Sequence, residues 1–498
     1  MIRAVKTNSN GRMARRDFLA IAGAGTLLAG CSSLKKEKKR PNVIFVFADQ
    51  WRASASGYAG DPNVKTPCLD ALAAESVNFK NAVACCPVCS PARGSMVTGQ
   101  YPNRHGVFLN DVCLNHNQPS VADCFNEAGY TTGFIGKWHL DGHGRSTYIH
   151  PERRQGFQYW KALECTHNYN QSSYYDNNCT EIKQWDGYDV FSQTEDAVHF
   201  VQQNRSQQFL LFLSWGPPHD PYLTAPEEFR KMYDQSALQL SPNVPVDERD
   251  FVPRTPWEDQ AGTMLETVRL ISAGYYAHCT ALDHCIGSLQ SAIRQEGLEE
   301  DTIFIFTSDH GDMLGAHGLW NKQQPYDESV RVPFLLKYPA LTGLRGTSIK
   351  TPINTPDIMP TLCDLCGIPI PPSVDGRSRA PLLRGEAMAD DGALIANYHA
   401  FGQMSASKGG KEWRGIRTSR YTYVKDLKGP WLLFDNQNDP WQKENLVNRY
   451  EAVVLQAQME KLLSKKLAET GDIFAEGMEY VRLWNYKVDK NGTVEYQE

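Results

Sequence analysis

The chain has 498 residues, a formal net charge of −6 and 13 cysteines. That balance excludes a nucleic-acid binder driven by bulk charge, which needs a basic excess. The length excludes a single small core, so one large domain with a smaller companion is expected.

Residues 1–31 read as a targeting segment and are set apart from the fold. Arg15-Arg16-Asp17-Phe18-Leu19 opens an apolar run through Leu28 that is too short, and too rich in glycine and alanine, for a permanent membrane span. The run ends in Leu28-Ala29-Gly30-Cys31, which resembles a bacterial lipoprotein processing box, making Cys31 the expected lipidation site. The arginine pair resembles a twin-arginine export signal, with an ordinary signal peptide as the alternative. Residues 32–40 form a basic, solvated tether. The expected organisation is a signal peptide with lipobox (1–31), the tether (32–40), a large N-terminal domain (41–390) and a C-terminal subdomain (391–498). The expected location is outside the cytoplasm, in the periplasm or on the outer membrane, held by the lipid.

Four apolar runs follow, each ending in residues capable of chemistry. Asn42 to Ala48 is apolar on both faces, as a central parallel strand must be, and ends in Asp49-Gln50. Thr131 to Ile135 leads into Gly136-Lys137-Trp138-His139, where Lys137 and His139 project on one side if the chain stays extended. Phe209 to Ser214 leads to His219, and Thr302 to Thr307 leads to Ser308-Asp309-His310. Ligands of open α/β sheets bind outside the carboxyl ends of the strands, so these clusters can converge. Asp49, Gln50, Asp309 and His310 then offer two carboxylates, an amide oxygen and an imidazole, a donor set for a divalent metal.

Between the first two runs lies Cys85 to Gly99. Ser90 as N-cap, Pro91 as first helical residue and Gly99 as stop predict a helix over 91–98, with Cys89 just ahead of its positive end. A thiol there can have a depressed pKa, and Arg93 reaches the same face. The other cysteines do not fall at disulfide-framework spacings. Setting aside Cys31 and Cys89 leaves an odd number, so at least one thiol has no intramolecular partner. Cys363 and Cys366 read as helical core packing.

Cys89-Ser90-Pro91-Ala92-Arg93 followed by Thr98-Gly99 is similar to the signature of the type I sulfatases, in the alkaline phosphatase-like superfamily. Gly136 to His139, Trp215 to Pro221 and Gly318 to Lys322 resemble further blocks of that family, as do Thr355 to Thr361, Val374 to Arg377 and Arg414 to Leu446. The resemblance implies an α/β fold with a large, mostly parallel sheet flanked by helices, and a smaller C-terminal α+β subdomain of an antiparallel sheet plus a helix. It implies oxidation of Cys89 to formylglycine by a maturation enzyme, and a catalytic set of Cys89, Arg93, Lys137, His139, His219 and Lys322. It further implies a metal on Asp49, Gln50, Cys89, Asp309 and His310. The family's ion is calcium; His310 as a ligand leaves magnesium, manganese or zinc open, and Gln50 replaces a common aspartate. In the implied cycle the hydrated formylglycine attacks sulfur, His219 with Lys322 protonates the leaving alcohol, and His139 acts as the base that releases sulfate.

The expected substrate is a sulfated saccharide met outside the cytoplasm. His143, Arg145, His167 and Asn168 are candidate substrate contacts, with Glu164 and Tyr169 in the same polar loop. Two alternatives stand: a phosphonate monoester or phosphodiester hydrolase of the same superfamily, and a sulfated-glycan-binding lipoprotein without turnover.

Overall fold

The computed structural model describes residues 40–115, 119–252 and 261–494; the targeting segment with Cys31 lies outside them. In chain order the strands are β1 (Asn42–Asp49), β2 (Val77–Phe79), β3 (Ala82–Val83), β4 (Thr131–Lys137), β5 (Tyr159–Leu163), β6 (Ser173–Asp176), β7 (Lys183–Gln184) and β8 (Phe209–Pro218). They continue with β9 (Thr302–Ser308), β10 (Phe334–Lys337), β11 (Thr347–Ile349), β12 (Ile353–Asn354), β13 (Ala393–Asn397), β14 (Trp413–Arg417), β15 (Tyr421–Asp426) and β16 (Gly429–Asp435). The main sheet has ten strands in the order β11-β2-β10-β9-β1-β8-β4-β5-β6-β7. Its centre, β9-β1-β8-β4-β5, is parallel.

The four apolar runs are β1, β4, β8 and β9, adjacent at that centre. β1 shows why they had to be apolar throughout. Val43, Phe45 and Phe47 enter one core while Ile44, Val46 and Ala48 enter the other, because successive side chains of a strand point to opposite faces. The first core is covered by α1 (Cys89–Thr98), α2 (Val121–Glu127) and, later in the chain, α5 (Ile358–Leu365). The second is covered by α3 (Asp189–Asn204) and the 32-residue α4 (Met264–Gln295), which opens with a capping box between Thr263 and Glu266.

β13 to β16 form an antiparallel meander. Its Leu394, Ile416, Tyr423 and Leu433 pack with Met459, Leu463 and Leu467 of α6 (Val453–Thr470), while Ile395, Trp413, Val424 and Phe434 face Val330. The expected fold class is therefore what the chain adopts. All twelve described cysteines are free thiols, and Cys363 and Cys366 are buried at α5.

The helix carrying Cys89 begins earlier than the sequence suggests. Val88 is its extended N-cap and Cys89 its first residue, while the Ser90 hydroxyl caps nothing. The reason is tertiary: Asn110 Oδ1 accepts the Ser90 N–H at 3.1 Å, satisfying from another loop a group that a local cap would otherwise serve. Pro91 then sits at the third helical position, where a missing N–H still costs no intrahelical bond.

Candidate active site

The carboxyl ends of β1, β4, β8 and β9, together with the start of α1, bring the chemistry-bearing side chains to one place. Cys89 Sγ lies 3.4 Å from Asp49 Oδ1 and 3.2 Å from His310 Nε2, and Lys322 Nζ donates to it at 3.3 Å. Burial opposes ionisation of this thiol, but the charges of Lys322 and Lys137 outweigh it and hold its pKa well below the ordinary value.

Asp49, Cys89, Asp309 and His310 offer ligand atoms that all lie within 4.8 Å of one another. The His310 Nδ1–H donates to the Gly311 carbonyl at 2.9 Å, which turns Nε2 toward the cluster. Asp49 and Asp309 are both fully buried. Burial would raise Asp49, yet Lys137, His219 and Arg93 reverse the sign and hold it low. Asp309 is instead pushed up by burial and by the Asp49 charge beside it. A buried acid pair with one member under-compensated, next to a free imidazole lone pair, fits a divalent cation. Gln50, expected as a further ligand, lies beside the cluster. It turns at φ 72°, its Nε2 donates to Asp312 Oδ2 at 2.7 Å, and its Oε1 accepts from Lys322 Nζ at 2.9 Å.

Arg93 does not face the cavity. Its Nε donates to Asp309 Oδ2 and its Nη2 to Asp49 Oδ2, both at 3.0 Å, while Nη1 donates to the Lys137 carbonyl and Ser214 Oγ, both at 2.7 Å. It orients the two acids from behind. Lys137 Nζ donates to Asp49 Oδ2 at 2.7 Å.

A cavity of about 450 Å³ opens in front, lined by Cys89, Lys137, His139, His219 and Lys322 with Asp111, Arg145 and His167. His219 donates through Nδ1 to the Asp220 carbonyl at 2.8 Å, and its Nε2 sits 2.7 Å from Lys322 Nζ. Burial lowers its pKa, but Asp220, Asp49 and Cys89 together outweigh burial and the net shift is upward. His167 stacks on it with ring centres 4.7 Å apart.

His139, expected as a base, lines the cavity and is held by an acid. Its φ of 59° takes the chain out of the extended conformation after β4, and its Nε2 pairs with Asp111 Oδ1 at 2.9 Å. Burial works against the charged ring, yet Cys165 and Asp111 push its pKa up to about 10. Its other nitrogen, Nδ1, is buried without a hydrogen-bond partner. A bound sulfuryl oxygen would satisfy it.

The expected substrate contacts divide. Arg145 and His167 line the cavity, whereas His143 and Asn168 are not in its described lining. His143 turns back on Asp141, with Nδ1 2.5 Å from the Asp141 carbonyl, and Asn168 is exposed. Glu164 is buried and accepts the backbone N–H groups of Leu140, Asp141 and Gly142, while the Tyr169 hydroxyl donates to the carbonyls of His219 and Asp220. Both build the loop and do not point at a ligand.

Sequence reasoning missed Asp111 and Asp312, which orient His139 and Gln50, and the wall formed by Phe401, Gly402, Gln403 and Thr493. Asp312 stands in the chemistry-bearing strand end Ser308 to Asp312, where sequence reasoning assigned it no role of its own. Asp111 and the C-terminal wall carry no local motif.

Comparison with known proteins agrees with this geometry. A family model described as sulfatase matches residues 41–368, and one described as the C-terminal region of N-sulphoglucosamine sulphohydrolase matches residues 315–469. An ulvan-active sulfatase of Formosa agariphila is 44% identical over 460 residues, covering 91% of this chain and 86% of that protein. An endo-4-O-sulfatase of Bacteroides thetaiotaomicron is 32% identical over 499 residues, covering 85% and 92%. A solved structure from Bacteroides fragilis that carries the sulfatase name yidJ shares 29% identity with a TM-score of 0.77, covering 91% of this chain and all of that one. On the cysteine cluster, the fold and these matches, the chain belongs to the sulfatase family and is a sulfuric ester hydrolase.

Proposed function

We propose that this enzyme hydrolyses sulfate esters of a saccharide, using a formylglycine made from Cys89 and a divalent ion, calcium by family analogy. The observation that carries the reading is Cys89 itself, held between the acid pair, His310 and Lys322 at the floor of a cavity ringed by cations. The ulvan-active relative and a cavity in the size range of small-ligand pockets support a sulfated saccharide.

Asp49, Gln50, Asp309 and His310, with the side chain at position 89, would hold the ion. It would supply Lewis acidity and charge neutralisation for the anionic sulfuryl group. A formylglycine at 89 supplies, in its hydrated form, that nucleophilic oxygen. Lys137 and His139 Nδ1 donate to the sulfuryl oxygens, whose charge is otherwise costly to bury. His219, in its protonated form, delivers the proton to the leaving alkoxide and is reprotonated from solvent, while Lys322, 2.7 Å away, shares the charge that develops there. Asp111 orients His139 by holding its Nε2. Residues 41–390 carry this chemistry, and the C-terminal subdomain, 391–498, completes the cavity wall. Residues 1–31 direct export, with Cys31 as the lipid attachment point.

The test is kinetic. Protein from the native host is given sulfated oligosaccharides and an aryl phosphonate under the same conditions, with inorganic sulfate and phenol release followed. A kcat/KM for sulfate release that exceeds phosphonate hydrolysis supports the reading; the reverse order overturns it.

A further inference from the structure

One loop, residues 164–169 after β5, touches His219 twice. Both ends of the loop are anchored. At one end the buried Glu164 carboxylate accepts the N–H groups of Leu140, Asp141 and Gly142 at 2.9 to 3.1 Å. At the other the Tyr169 carbonyl accepts the Asp189 N–H, at the start of α3, at 2.8 Å. What the loop presents to His219 is therefore fixed relative to the sheet and not free to drift.

The first contact is with the backbone. The buried Tyr169 hydroxyl shares its proton between the His219 and Asp220 carbonyls, at 3.0 and 3.1 Å. The Asp220 oxygen is the same one that accepts from His219 Nδ1 at 2.8 Å, so Tyr169 holds the acceptor that leaves Nε2 as the nitrogen facing Lys322. The Tyr169 ring lies so close to the end of β8 that a Cβ on Gly216 would stand 2.8 Å from its Cε1.

The second contact is with the ring. An imidazole held at one nitrogen can still swing about its Cβ–Cγ bond, whose torsion is broad. His167 removes that freedom: its ring lies over the His219 ring with an interplanar angle of 5° and centres 4.7 Å apart. Burial keeps the His167 pKa below its ordinary value, so a neutral ring lies against the one that must carry the proton.

We propose that His167 is a positioning residue for the reaction, laid on the His219 ring to keep Nε2 presented to the cavity. It acts through His219 and not by gripping the saccharide. The inference rests on the reading of His219 as the general acid and adds to it the group that aims that acid. A misplacement of about 1 Å in such a group is enough to slow a reaction severely.

The test compares wild type, His167→Ala, His167→Phe, His219→Ala and the His167→Ala/His219→Ala double variant, each matured in the native host. The substrates are phenyl sulfate and nitrophenyl sulfate, which differ by one nitro group and in how much the departing oxygen needs a proton. His167→Ala is expected to lower kcat/KM on phenyl sulfate by about 10-fold, the upper range for a stacked ring pair, and to leave nitrophenyl sulfate nearly unchanged, at an unchanged Tm. His167→Phe, which keeps a ring over His219, recovers most of the loss. In the His219→Ala background, His167→Ala costs nothing further, because the group it aims is gone. No loss for His167→Ala, an equal loss on both substrates, or a further loss in the double variant overturns the proposal. Equal losses on both substrates for His219→Ala overturn the acid reading itself, and the proposal with it.

Discussion

His219 and Lys322 share one short contact, 2.7 Å between Nε2 and Nζ, and that contact predicts how each substrate responds to mutation. A general acid contributes about 10²- to 10⁴-fold when the leaving group needs a proton. His219→Ala should therefore lose activity in that range on a sugar sulfate and far less on nitrophenyl sulfate, whose leaving group departs as an anion; equal losses on both would contradict the assignment. Asp312 acts one step further back. Its Oδ2 accepts from Gln50 Nε2 and from the Tyr222 hydroxyl, which leaves Gln50 Oε1 to accept from Lys322 Nζ. Asp312→Asn allows the amide to turn over, and metal affinity, read by titrating the stripped enzyme, should fall about 10- to 100-fold. The residues that the structure gathers at the floor of the cavity were legible in the sequence because they stand at strand ends or in short motifs. Those that orient them were not: Asp111 meets His139 only through folding, and its loop has no periodicity to read. His143 misled for a related reason, since adjacency to His139 in the chain says nothing about which way a ring turns.

At the scale of elements, the close approach of β4 to β8 decides where Lys137 stands. Gly136 adopts φ 104°, and a Cβ there would lie 2.0 Å from the Ser214 carbonyl oxygen. That neighbour is backbone in the middle of a sheet and cannot swing aside. Gly136→Ala should cost about 3 kcal/mol from backbone strain and overpacking together, and should displace the Lys137 carbonyl that Arg93 binds at 2.7 Å. A lower Tm with reduced activity is expected; an unchanged Tm would refute the packing argument. The central strands were readable because burial on both faces demands an unbroken apolar run. The start of α1 was not, because the group that serves Ser90 N–H is Asn110, 20 residues away. Local capping rules describe a helix end only while its partners are local.

For the whole molecule, Asp327 joins the two sheets. It follows Lys322 in the large domain and accepts from Arg417 Nε and Nη2 of β14, both at 3.0 Å, and from Arg331 Nη1 at 3.1 Å. Burial opposes its ionisation, but Arg417 and Arg331 outweigh burial and hold it at about 2, below its ordinary 3.8. A carboxylate lowered in the folded state contributes stability that is fully present above pH 3.8 and is lost as pH falls through about 2. Asp327→Asn leaves Arg417 buried without its counter-charge and should destabilise the protein by about 3 to 5 kcal/mol near neutrality, with the gap to wild type narrowing in acid unfolding titrations. Because the small sheet also supplies the wall at Phe401 to Gln403, loosening this joint should raise KM more than it lowers kcat. All of this presupposes one covalent change at the floor of the cavity. The most direct test is peptide mass spectrometry of the segment containing Cys89, on active protein from the native host. The account predicts that the sulfur is replaced by oxygen with loss of two hydrogens, the signature of formylglycine, in proportion to sulfate-releasing activity. An intact Cys89 thiol in fully active protein would contradict it.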